Sequence, residues 1–107
     1  MNHSPIRADK RLGQHFLRDD SVIDRLIAAI RPQPGDALLE IGPGLGALTL
    51  PLLRETGHLA AVEYDSRLLA PLAARTAPLG ALHLIHADIL DINLADIPPY
   101  PARWRLV

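Results

Sequence analysis

Residues 40–46 read Glu-Ile-Gly-Pro-Gly-Leu-Gly, and two further acids, Glu63 and Asp88, each close a short apolar run later in the chain. Glycine tolerates positive φ and lets a ligand reach the backbone with no Cβ in the way, so Gly42, Gly44 and Gly46 suit a loop that cradles a small molecule. A helix starting just after such a loop adds free N–H groups and a positive dipole end. Glu63 follows Gly42 by about 20 residues, the spacing at which an acid reaches ribose hydroxyls across a strand–helix–strand unit. Asp88, one apolar run further on, can accept a hydrogen bond from an exocyclic amine such as that of adenine. A glycine triplet alone also describes a structural turn, and either acid alone a strand-end cap. The combination in this order points to a nucleotide-like ligand.

For these residues to meet, the segments between them must fold as alternating strands and helices. Asp19, Asp20 or Ser21 can cap a helix with Val22, Ile23, Leu26, Ile27 and Ile30 on one stripe; Pro32 and Pro34 stop it before a Pro34-Gly35-Asp36 turn. Residues 37–41 predict a buried strand that ends on the glycine loop, and residues 48–55 a helix. Pro51 fits that helix only in its first turn, where its missing N–H has no helical partner to lose. Gly57 ends the helix, and residues 59–63 predict a second strand. Asp65 or Ser66 can cap a third helix reaching Arg75, kinked or delayed by Pro71, with a turn at Pro78 and Gly80. Residues 82–86 predict a third strand, 89–102 a proline-rich loop with one helical turn at most, and 104–107 the opening of a fourth strand. This alternation implies an α/β fold with parallel strands and right-handed crossovers. The glycine loop, Glu63 and Asp88 then fall at the carboxyl ends of successive strands, where open parallel sheets bind ligands.

Composition narrows the class. A chain of 107 residues builds one small domain, and 49% hydrophobic with 21% charged residues fits a soluble globular protein. The absence of cysteine excludes disulfides and thiolate chemistry and fits a reducing cytoplasm. The longest uncharged run, residues 41–53, is too short and glycine-rich to cross a bilayer. Net charge is −1, yet Arg7, Lys10, Arg11 and Arg18 against Asp9 make residues 1–18 a basic lead-in to a mildly acidic body over 19–107. His83 and His86, three apart on a strand, point to opposite sides, so no metal site is expected, and Trp104 reads as core. Dinucleotide loops favour G-x-G-x-x-G, whereas this one is G-x-G-x-G with Glu40 beside it and proline removing one N–H. That acid suits a cationic ligand without pyrophosphate, S-adenosylmethionine rather than NAD.

From Lys10 to Asp19 the text runs Lys-Arg-Leu-Gly-Gln-His-Phe-Leu-Arg-Asp. With residues 40–46 and Glu63-Tyr64-Asp65, this closely resembles the small-subunit ribosomal RNA adenine N6,N6-dimethyltransferases, relatives of the large-subunit methyltransferases that confer macrolide resistance. The resemblance covers about residues 10–107, and the Arg11-Leu12-Gly13-Gln14 wording is nearer the small-subunit branch. It implies a partial Rossmann-like S-adenosylmethionine-dependent methyltransferase fold, truncated in the fourth strand. It further implies that His15 and Leu17 contact the cofactor, that Gly42 lies at its methionine end, and that Glu63 holds the ribose and Asp88 the adenine amine. Tyr64 and Ile89 would flank the adenine ring, residues 1–18 would form a lid, and Lys10 and Arg11 would meet RNA. Small-subunit ribosomal RNA in the cytoplasm is the implied partner. The family's catalytic Asn-Leu-Pro-Tyr motif, which holds a flipped adenine, follows the fourth strand and so falls past Val107. No catalytic residue is therefore expected within the chain, which would be an inactive fragment that self-associates through its open sheet edge. The alternatives are a NAD-dependent oxidoreductase fragment and a non-enzymatic RNA-binding or assembly protein on the same fold.

Overall fold

A run of residues without charge can be buried on both faces at once, and Leu-Ala-Ala-Val of β2 (His58–Glu63) is such a run. It sits at the middle of a parallel sheet beside β1 (Leu38–Ile41), with Leu39 opposite Ala60 and Ile41 opposite Val62. β3 (Ala81–His86) pairs parallel along its other side, Glu63 opposite His86, and β4 (Arg105–Leu106) pairs parallel with β1, Leu39 opposite Leu106. The order is β3-β2-β1-β4. The chain thus steps outward from β1 to β3 and then returns to the far side of β1. Strand order reverses at β1, and the crevice at the carboxyl ends beside such a reversal is the usual ligand site of open α/β sheets. The computed structural model describes residues 19–99, 101 and 103–107; the expectations placed on Lys10, Arg11, His15, Leu17 and the lead-in lie outside the described residues.

The helices follow their punctuation. Of the three candidate caps for α1 (Asp20–Ile30), Asp19 serves, its carboxylate accepting the Ser21 N–H at 2.9 Å. Ile27 and Ile30 of the predicted stripe reach the core, while Leu26 stays exposed. α2 (Thr49–Thr56) starts immediately after the glycine loop with Pro51 in its first turn, and Gly57 closes it at φ 79°. Pro71 delays the third helix. Asp65 caps a 3₁₀ turn at Ser66–Leu68, and the α-helix proper, α3 (Leu69–Thr76), begins late enough to leave Pro71 in its first turn.

Two cores flank the sheet. On one face Leu38 and Leu59 meet Leu52 and Leu53 of α2, with Ile27, Ile30, Leu79, Leu82 and Val107 around them. On the other face Leu39, Ala60 and Val62 meet Ile97, with Ile85, Ile92, Leu94 and Trp104 closing over them. That second covering is the crossover from β3 to β4, which contains 3₁₀ turns at Ile89–Asp91 and Leu94–Asp96 where one helical turn at most was expected. Trp104, expected in the core, packs partly buried against it, and its indole N–H donates to the Leu94 carbonyl at 3.0 Å. At the base of the sheet Arg105 pairs with Asp36 at 2.7 Å and donates to the Ile30 carbonyl, an acceptor that the end of α1 leaves without a helical partner. Among the described residues no helix is long and apolar enough to cross a membrane.

Candidate cofactor site

Pairing at the carboxyl edge brings the predicted residues into a row. The Gly42 N–H donates to the Val62 carbonyl at 2.9 Å, and the Ala87 N–H donates to the Glu63 carbonyl at 3.1 Å. Gly42, Glu63 and Ala87 are therefore neighbours across adjacent strands, roughly 5 Å apart from one strand to the next. Asp88 follows directly. Gly42 and Gly44 take φ of 69° and 60°, and a Cβ on either would meet nothing within 4 Å, so their backbone is open to an approaching ligand. Gly46 is different: its φ of 94° favours glycine, and a Cβ there would stand 2.8 Å from Leu72 Cδ1, which would have to shift.

Glu63 is buried and holds the loop directly. One carboxylate oxygen accepts the Gly44 N–H at 3.0 Å, the other the Asp65 N–H at 2.9 Å. A carboxylate offers about four lone-pair positions, so both oxygens keep acceptor capacity for a pair of hydroxyls. Glu40 is also buried, under the loop, and accepts the Thr49 hydroxyl at 2.5 Å. Burial raises its pKa from an ordinary 4.5 to about 7; the Thr49 bond works against that rise, and the negative charge of Glu63 adds to it. Glu40 is thus a tethered acid that ties the end of β1 to the first turn of α2. Its tendency to hold a proton also means that a cation brought nearby would favour its ionised form.

Asp88 takes the capping part directly. Its Oδ1 accepts the Leu90 N–H at 3.0 Å and caps the Ile89–Asp91 turn, with acceptor capacity left over for an amine. Tyr64 is 74% exposed at the same edge, while Ile89 packs partly against the second-face core. His86 secures this corner, its Nε2–H donating to the Tyr64 carbonyl at 3.1 Å. His83 instead lines a cleft of about 360 Å³ with Ile85, Ile97 and Pro98. Sequence reasoning missed three residues that shape the loop: Thr49 on Glu40, Leu72 against Gly46, and Arg75, whose guanidinium donates to the Leu45 carbonyl at 2.6 Å. None carries a local signal, since each acts across a turn or on another element.

Chemically, this edge can seat a molecule with hydroxyls near Glu63, an amine near Asp88 and a cationic group near the two buried acids. Solved structures with the same fold set the class. A dimethyladenosine transferase from Plasmodium falciparum is 27% identical with a TM-score of 0.65, over 71% of this chain and 28% of that one. The 23S rRNA methyltransferase ErmE is 28% identical with a TM-score of 0.64, over 76% and 32% respectively. The fold is that of the Rossmann-like S-adenosylmethionine-dependent methyltransferases.

Within that class the assignment is narrower. The family model described as Ribosomal RNA adenine dimethylase matches residues 6–98. A Ribosomal RNA small subunit methyltransferase A from Dichelobacter nodosus is 57% identical over 98 residues, 92% of this chain and 37% of that protein. The chain belongs to the ribosomal RNA adenine dimethylase family, and it spans a little over a third of the length of that relative. Family membership places it with the methyltransferases rather than with the dinucleotide oxidoreductases.

Proposed function

We propose that this chain is the S-adenosylmethionine-binding part of an rRNA adenine N6,N6-dimethyltransferase that acts in small-subunit ribosome biogenesis in the cytoplasm. The observation that carries the reading is the placement of Glu63, buried beside the glycine loop with both carboxylate oxygens on backbone N–H groups. An acid so fixed cannot swing away when a ribose arrives, so its geometry for two hydroxyls is set in advance. Gly42, Gly44 and Gly46 form the loop against which the methionine portion lies, Tyr64 and Ile89 flank the adenine, and Asp88 accepts from its amine. The donor supplies the sulfonium methyl; the residues of this chain bind it, orient it and surround it with negative charge. His15 and Leu17, in the family's cofactor-contacting stretch, would complete the site from a lid over residues 1–18, and Lys10 and Arg11 would meet RNA phosphates. Residues 19–107 are then the cofactor-binding half of the methyltransferase domain.

Calorimetric titration tests the reading. S-adenosylmethionine and its demethylated product are expected to bind and NAD not to, and Glu63→Ala is expected to weaken both adenosyl ligands about 100-fold, the loss of two charge-assisted hydrogen bonds at roughly 1.5 kcal/mol each. Binding of NAD without S-adenosylmethionine would sink it. β4 sits at the sheet edge with Leu106 half exposed, and an unpaired edge recruits other strands. Light scattering is therefore expected to show dimers or larger species at high concentration; a monodisperse monomer throughout would count against self-association.

A further inference from the structure

The hydrogen bonds of the glycine loop join into one directed chain. The guanidinium of Arg75 donates to the Leu45 carbonyl at 2.6 Å. That carbonyl shares its peptide plane with the Gly46 N–H, which donates to the Pro43 carbonyl at 3.0 Å. The Pro43 carbonyl in turn shares its plane with the Gly44 N–H, which donates to Glu63 Oε1 at 3.0 Å. Every link points the same way, with a permanent cation at the donor end and an acid at the acceptor end. Such a chain polarises each of its members in the same sense, so every bond strengthens the next. It also fixes the tilt of both peptide planes that face the open side of Gly42 and Gly44. Leu72, one turn before Arg75 on α3, seats Gly46 from beneath, so α3 holds the loop by packing and by charge.

We infer that Arg75 is a positioning residue for the cofactor, acting on Glu63 through the two peptide planes of the loop without touching the ligand. The inference rests on the proposed cofactor site, and its test separates the two. Arg75→Ala removes the cationic end while leaving Leu72 and the core in place. It is expected to weaken S-adenosylhomocysteine binding by calorimetry about five- to tenfold, the range for a charge-assisted bond discounted for solvent exposure. The thermal unfolding midpoint should hardly move. Arg75→Lys, which keeps the charge and one donor, is expected to recover most of the affinity, and Arg75→Met none. Amide exchange by NMR gives a reading that needs no ligand: the Gly46 and Gly44 N–H groups should exchange faster in Arg75→Ala and return towards the wild-type rate in Arg75→Lys. Unchanged exchange at Gly44 would overturn the relay whatever the ligand does. Failure of the wild-type chain to bind either adenosyl ligand would remove the cofactor reading, and with it the positioning role, while the exchange rates still decide whether the relay exists. Equal affinities for wild type and Arg75→Ala, with clear wild-type binding, would leave the site standing and refute the role of Arg75.

Discussion

Gly80→Ala is expected to destabilise the fold by about 2–6 kcal/mol, enough to remove much of the margin of a small domain. Two effects add. At φ 154°, Gly80 occupies a conformation that L residues rarely adopt, costing roughly 1–3 kcal/mol for a residue with a Cβ. The added Cβ would also stand 2.6 Å from the Gly57 carbonyl oxygen and 3.3 Å from Leu53 Cδ1, and overpacking of this kind costs roughly a further 1–3 kcal/mol. The oxygen cannot retreat cheaply, because it accepts the Ala81 N–H at 3.1 Å and belongs to the residue that closes α2. Two turns on neighbouring strands are packed backbone to backbone here. Gly35→Ala is the matched control: its φ is also positive, at 86°, but its Cβ would meet nothing within 4 Å, so only the conformational cost of roughly 1–2 kcal/mol applies. Urea unfolding followed by Trp104 fluorescence compares the pair, and equal midpoints would refute the backbone contact.

Glu40→Gln is expected to stabilise the chain at neutral and higher pH while making little difference in acid. The pKa of Glu40 rises on folding from 4.5 to about 7, chiefly because burial disfavours its charged form. A group of this kind contributes stability that is fully present below the unfolded pKa and is lost as pH rises through the folded one. The wild type therefore loses stability relative to the glutamine variant between about pH 4.5 and pH 7, and the gap levels off above that near 3 kcal/mol, at about 1.4 kcal/mol per pH unit. Glutamine keeps an oxygen to accept the Thr49 hydroxyl, so the comparison isolates the charge. Parallel stability curves for the two proteins from pH 4 to pH 9 would show that Glu40 ionises without hindrance. A bound cationic ligand is expected to narrow the gap, since it favours the form that burial penalises.

The elements that position the site were largely legible because their signals are local. Apolar runs bounded by Gly57, Pro78 and Gly80 give the strands, Asp19 and Asp65 give the caps, and Pro51 and Pro71 can lie only in first turns. The row of Gly42, Glu63 and Asp88 follows from alternation alone, because parallel pairing aligns carboxyl ends. What was not legible depends on contacts between elements. Arg75 lies 30 residues from the carbonyl it holds, and a helix-terminal arginine has many exposed partners available to it. Glu40 read as a spare acid for a ligand, yet it is buried and tethered to Thr49, and nothing in its neighbours announces which face of β1 it takes. The crossover to β4 offers no periodicity, so neither its pair of 3₁₀ turns nor its service as the lid of the second core could be read from residues 89–104.

The bond between Arg105 and the end of α1 carries a consequence in time. Arg105 meets Asp36 across a separation of 69 residues, and β4 joins β1 only after β2 and β3 have been laid down between them. Parallel neighbours cannot zip from a tight hairpin, so this contact must await the closure of a long loop. On a chain emerging from its N-terminus, the first helix and the first strand are made early, but their polar tie through Arg105 is completed only when β4 arrives. Until Arg105 arrives, the Ile30 carbonyl and the Asp36 carboxylate have only water in its place, and the sheet presents β1, its future interior strand, as a growing edge.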